Sequence, residues 1–174
     1  MAGTLIVSNI EAQNYKFDSD TTGMTIGSGG RILTPARPAF LAYDSSSGWR
    51  DYNAHGGAAD MVWGATRFNI GGHFNTSTGK FTVPIAGIYR FHCWAYVSLA
   101  AHKNYLYLNK NGSQLQSTLM DNDGDNETAQ VSGLVQCAVN DLIHMQYQCT
   151  TDTSNNVYSG ASEQWTGFEG YLIG

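Results

Sequence analysis

From Phe81 to Val97 the chain reads FTVPIAGIYRFHCWAYV, and taking every second residue separates it into two rows. One row, Phe81, Val83, Ile85, Gly87, Tyr89, Phe91, Cys93, Ala95 and Val97, is apolar throughout. That is the two-residue period of a β-strand with one face on a core. The other row, Thr82, Pro84, Ala86, Ile88, Arg90, His92, Trp94 and Tyr96, is mixed. A membrane-spanning helix is excluded, since spanning takes roughly 20 apolar residues with few charges. The alternation returns in Val131, Val135, Cys137 and Val139, and in Ile143, Met145, Tyr147 and Cys149.

The pattern predicts further strands at short intervals: PAFLAY, DMVWGATRFNI, GKFTVP, GIYRFHCWAYVS, NYLYLNKNG, SQLQSTLM, AQVSGLVQCAVN, LIHMQYQC and FEGYLI. Between them lie DSSSG, NTSTG, KNG and DNDGDNE, whose Gly, Asn, Asp and Ser residues form turns and loops. Eight to ten short strands without a helical stretch long enough to cover a parallel sheet predict an all-β sandwich or jelly roll. Residues 1–37 differ from the rest. They are polar and glycine-rich, with TGMTIGSGG between two extended pieces and TPARP leading into the first strand of the series, so an N-terminal arm is expected over 1–37 and a head over 38–174.

Composition adds one constraint. Only 13% of residues are charged, against about 25% in a typical soluble protein, so part of the surface is expected to be covered by another subunit. A net charge of −5 with nine scattered basic residues argues against nucleic acid, whose phosphates need clustered Lys and Arg. No membrane insertion is expected. Cys93, Cys137 and Cys149 each fall on an apolar row, which predicts buried thiols. The start, MAGTLIVSNIEAQ, lacks the basic segment and long apolar run of a signal peptide, so synthesis and folding in a cytoplasm are expected.

Catalytic signatures are missing from the sequence. It contains no GxSxG, HExxH, P-loop or GxGxxG motif, and no catalytic residue is assigned. His55, His73, His92, His102 and His144 show no ligand-like spacing. Glu11, Glu127, Glu163 and Glu169, with the aspartates, leave a glycosidase pair open by count alone. One motif stands out, DNDGDNE, in which Asp121, Asp123, Asp125 and Glu127 alternate around Gly124. That places oxygen ligands on a short loop suited to a hard cation, calcium being the one expected. An exposed acidic turn is the alternative.

Trp63, Asn69, Phe74, Phe81, Gly87, Tyr89 and Phe91 fall at the spacing of a known signature, and the chain from RPAFLAY through YLYLNKNG to FEGYLIG resembles the complement C1q globular-head family over residues 38–174. Trp63 stands where that family usually has Phe, and Cys93 where it usually has an aromatic. The resemblance implies a ten-stranded jelly roll, related to tumour necrosis factor, that assembles as a homotrimer. It also implies that Ile88, Trp94 and Tyr96 pack against neighbouring subunits, while Arg90 and His92 either serve the same interface or reach solvent. Calcium in that family sits on loops of the region that contains DNDGDNE.

The leader TLIVSNIEAQNYKFDSDTTGM resembles segments that precede receptor-binding or fibre domains of tailed-bacteriophage virion proteins, and no collagen-type repeat is present. The expectation is a bacteriophage structural protein made in the host cytoplasm and displayed at the virion surface. Residues 1–37 would join other virion proteins, and the trimeric head would recognise a host-surface glycan or protein. Its ligand-binding residues are not identified by sequence. A capsid decoration protein anchored by the same arm is the alternative, and a surface-polysaccharide depolymerase a third reading; a bacterial head domain with a tag-like leader would account for the same features.

Overall fold

In a computed structural model the described residues are 14–16, 22–27, 29–52, 57–98, 103–121, 126–150, 157–160, 162 and 164–174. The chain divides into two units, Met1–Arg37 and Pro38–Gly174.

In the first unit, β1 (Asn14–Lys16), β2 (Thr22–Ile26) and β3 (Ile32–Leu33) pair in that order as an antiparallel sheet. A small sheet therefore stands where extended pieces of an arm were expected. Its second turn closes through Gly27 N–H to Arg31 O and Gly30 N–H to Gly27 O, with Gly30 at a positive φ of 74° that suits glycine. Ile32 and Leu33 are exposed.

The second unit is all β. Its strands are β4 (Ala39–Tyr43), β5 (Gly48–Arg50), β6 (Ala59–Asp60), β7 (Ala65–Ile70), β8 (Phe74–Asn75), β9 (Lys80–Thr82), β10 (Gly87–Val97), β11 (Lys103–Lys110), β12 (Ser113–Asp121), β13 (Glu127–Cys137), β14 (Leu142–Cys149), β15 (Val157–Ser159) and β16 (Gly167–Leu172). They form a jelly-roll-like sandwich of two antiparallel sheets. In the first sheet β10 is central. β13 pairs with it along its whole length, and β16 and β15 share its other edge, followed by β4 and β7 beyond β16 and by β5 beyond β15. The second sheet runs β12, β11, β14, β9, β8, with β6 also on β14.

The predicted apolar row of β10 is the core row: Tyr89, Phe91, Cys93, Ala95 and Val97 are all fully buried. Across the sandwich they meet Leu106, Leu108, Ile143, Met145 and Tyr147. At the centre Phe40 stacks on Phe74 at 4.4 Å and on Phe81 at 4.9 Å, with Phe168 edge-on at 5.0 Å, geometries that favour aromatic pairs. All three cysteines are buried as thiols rather than disulfides, and burial pushes the Cys137 thiol up to about 11.

One predicted strand is broken, and the division between GKFTVP and GIYRFHCWAYVS is a change of sheet. The row from Phe81 to Val97 is interrupted between β9 and β10, which belong to different sheets, and Ile85 in the crossing is exposed. DMVWGATRFNI likewise splits into β6 and β7 on opposite sheets. The first crossing keeps the inward parity, so alternation alone does not reveal it; after the second, Thr66 rather than Ala65 faces inward opposite Ala42, and a bulge restores the original parity by Asn69. In the second crossing, Met61 N–H bonds to Met145 O at 2.9 Å and Trp63 N–H to Thr76 O at 3.3 Å, so the connecting backbone stays paired. The predicted KNG turn joins β11 to β12, with Asn111 and Gly112 at φ of 52° and 79°, the two left-handed residues of a tight hairpin.

Candidate functional site: the outward face of the first sheet

The mixed row of β10 points away from the core, and its neighbours in register extend it across the sheet. One level joins Leu134, Arg90, Tyr171, Ala39 and Ile70; the next joins Ser132, His92, Glu169, Leu41 and Phe68. Leu134 is 66% exposed and Ile88 46%, and Phe68, Ile70, Tyr171 and Ile173 are exposed as well. Single exposed apolar residues are ordinary, but a contiguous patch of this kind marks a surface that another molecule covers. The outward face of the second sheet instead presents Lys80, Asp60, Gln146, Gln148, Tyr105 and Tyr107, and the exposed large aliphatics of that sheet's strands are Leu115, Leu119 and Leu142.

Among the residues expected at a subunit interface, Ile88 lies open on this face. Trp94 and Tyr96 are half-buried by packing within the subunit. The Trp94 indole covers Gly167 and donates Nε1–H to the carbonyl of Gln164 at 2.8 Å. Tyr96 lies between Trp49, at 5.9 Å, and Trp165, at 4.8 Å, and Tyr158 completes the group. Trp49, Tyr158 and Trp165 were not singled out in the sequence, because the three-residue strands that carry two of them are too short to show a period. His92 Nδ1 lies 3.5 Å from Glu169 Oε1, a polar pair in the middle of the face, while Arg90 is exposed.

Beneath the aromatic group a buried carboxylate ties the short strands together. Asp44 accepts from Ser46 N–H at 3.1 Å and Ser46 Oγ at 2.7 Å, and pairs with Arg50 Nη1 at 2.6 Å. Ser46 Oγ is also 2.9 Å from Ser159 Oγ. A buried charge needs such partners, so this network is read as structural support for β5 and β15.

Asp123 and Asp125 lie outside the described residues. Asp121 ends β12, exposed, 3.8 Å from Lys103 Nζ, and Glu127 begins β13 opposite Val97. Among the described residues no group of three or more acidic, His or Cys side chains is arranged to hold a metal.

Residues 50–173, most of the chain, match the family profile described as the C1q domain. This chain belongs to the C1q domain family. Its fold matches three solved relatives of that architecture. The globular domain of zebrafish complement 1qA protein aligns at TM-score 0.58 and 19% identity, covering 79% of this chain and 98% of the relative. Murine APRIL aligns at 0.59 and 9%, covering 79% and 99%. The Eiger TNF of S. frugiperda aligns at 0.58 and 11%, covering 79% and 94%. No curated protein sequence matches the chain significantly. At these identities the structural likeness speaks for the C1q and TNF fold alone.

Proposed function

We propose that this C1q-domain chain is a non-enzymatic recognition head that works as a homotrimer, with the outward face of the first sheet as its self-association surface. The observation that carries the proposal is the asymmetry of the two outward faces: Phe68, Ile70, Ile88, Leu134, Tyr171 and Ile173 are exposed on one, while polar and charged side chains predominate on the other. C1q and TNF-like homologues are trimeric, which supports a threefold arrangement. Burying each large apolar side chain contributes about 1.5–3 kcal/mol before the costs of association. Light scattering on the full chain tests this: a trimer at micromolar concentration is the expected result, and a monomer overturns it.

For biological setting, we infer a tailed-bacteriophage particle, with residues 1–37 as the attachment segment and the head directed at the host surface. The support is the resemblance of the leader to those of virion proteins. On this reading the protein is made in the host cytoplasm and resides on the virion surface. Full-length chain copurifying with particles, while residues 38–174 alone do not, is the expected outcome. Equal incorporation of both overturns the role of the leader.

A further inference from the structure

The outward face of the second sheet, opposite the one assigned to self-association, carries a pocket of 440 Å³ whose walls include Asp60, Lys80, Asn111, Leu142, His144 and Gln146. That volume lies within the range of small-ligand sites, roughly 300–1,000 Å³. Residues distant in sequence meet there because β14 pairs with β6 and β9 along one edge and with β11 along the other.

Its hydrogen bonds are incomplete in a specific way. Gln146 Nε2 donates to Asp60 Oδ1 at 2.8 Å, and Asn109 Nδ2 donates to Gln146 Oε1 at 3.3 Å, which fixes the orientation of the Gln146 amide. His144 Nε2 lies 3.4 Å from the same Asp60 oxygen, and Lys80 Nζ 3.4 Å from the other. The imidazole is buried, yet its Nδ1 has no hydrogen-bond partner. A proton on Nε2, directed at the carboxylate, leaves Nδ1 as a bare acceptor. Leaving a buried polar atom unpaired is costly, and such atoms are rare in native proteins.

The unused capacity of the pocket identifies what fits it. Burial lowers the pKa of His144, against the attraction of Asp60 and with the repulsion of Lys80, so the imidazole is neutral at pH 7. The remaining charges, Asp60 and Lys80, cancel. Lys80 retains donors, and Asp60 and His144 retain acceptors. A carboxylate ligand has no donor for Nδ1 and meets Asp60. An ammonium ligand meets Lys80. A divalent cation would find one carboxylate already beside an ammonium. Hydroxyl groups both donate and accept, and the exposed Leu142 side chain offers an apolar edge for C–H groups.

We propose that this pocket binds a neutral saccharide, with hydroxyls bridging Asp60 and Lys80 and one donating to His144 Nδ1, which is closed to solvent until the imidazole turns toward the ligand. This deepens the recognition reading above by naming a ligand class and a site, and it is independent of the oligomeric state.

The test uses the full chain with a panel of neutral hexose and N-acetylhexosamine oligosaccharides, and acidic counterparts of the same length. Binding is followed by saturation-transfer NMR and by the His144 imidazole resonances. The expected result is binding of at least one neutral oligosaccharide, a shift of the His144 resonances, and at least tenfold weaker binding in Asp60→Ala and Gln146→Ala. Both substitutions lie at the pocket rim rather than in the core. Correct folding of the variants is checked by the retained resonances of Phe40 and Tyr89. No binding across the panel, a preference for acidic sugars, or binding unchanged in both variants overturns the proposal. Light scattering decides the trimer separately, so the two failures are distinguishable.

Discussion

Trp94 and Gly167 face each other directly in register between β10 and β16, and the indole of Trp94 lies over the glycine so closely that an added Cβ would collide with its Cζ2. The same indole reaches past Gly167 to bond Gln164 O. One side chain thus covers the sheet and pins the loop that carries Trp165. Gln164, in that loop, adopts a φ of 53°, uncommon for a residue with a side chain. Gly167→Ala should displace the indole and release the loop, at a cost of about 1–3 kcal/mol for overpacking. Urea unfolding checks this, and a variant as stable as wild type would show that the indole moves freely.

Leu134 is the most exposed large apolar residue on the outward face of the first sheet. Leu134→Glu should dissociate the assembly and leave a folded monomer, because a charge is costly inside an interface and harmless in water. Sedimentation with circular dichroism separates the cases. A Leu134→Glu trimer as tight as wild type would remove this side chain from the interface.

His144 gives a pH dependence with a definite sign. Its folded pKa lies below the ordinary 6.5, first through burial, with Lys80 adding and Asp60 opposing. The folded state therefore binds fewer protons than the unfolded one. The contribution is fully present above about pH 6.5 and is lost as pH falls from there through the folded pKa. Asp60 acts in a lower window. Burial raises its pKa, but the Gln146 hydrogen bond with His144 and Lys80 outweighs this and leaves it lowered. Thermal midpoints measured from pH 7.5 to 5 should fall more in wild type than in His144→Phe, and parallel curves would contradict this assignment.

Calcium at the acidic loop is tested by stability. With affinity on the order of 10⁻³ M, as for weak extracellular sites, 10 mM calcium would stabilise the head by about 1.4 kcal/mol. The thermal midpoint should rise accordingly, and Asp123→Asn with Asp125→Asn should remove the response. A midpoint identical in chelator and in calcium would assign the loop to solvent, with Asp121 engaged by Lys103.

The strands that the sequence discloses are those with one buried face and enough length to show it. β10, β13 and β14 each alternate over eight or more residues, and their core rows are the predicted ones except at Val139, which lies beyond the end of β13 and is exposed. The family signature was legible for the same reason, since Phe74, Phe81, Tyr89 and Phe91 are core residues. What alternation conceals is a strand that changes sheets without changing parity, as at Val83–Ala86, or one whose parity change is restored by a bulge, as after Met61–Gly64. It also conceals pairing between distant segments: Asp60 meets His144 only because β6 joins β14, and no local spacing encodes that. The aromatic group of Trp49, Tyr96, Tyr158 and Trp165 is assembled in the same way.

The placement of β16 has a consequence for biosynthesis. Residues 167–172 lie between β10 and β4, supplying hydrogen bonds to both. Until those residues have left the ribosome, the central strand has an open edge over Tyr89–Trp94, and β4, at the other end of the unit, has no neighbour there. The sandwich therefore closes only after translation of its final strand, and contacts this distant in sequence are slow to form. A stalled chain ending at Trp165 should remain protease-sensitive over β4 even when β10 and β13 are fully outside the ribosome, which makes protection of β4 a clock for the completion of the head.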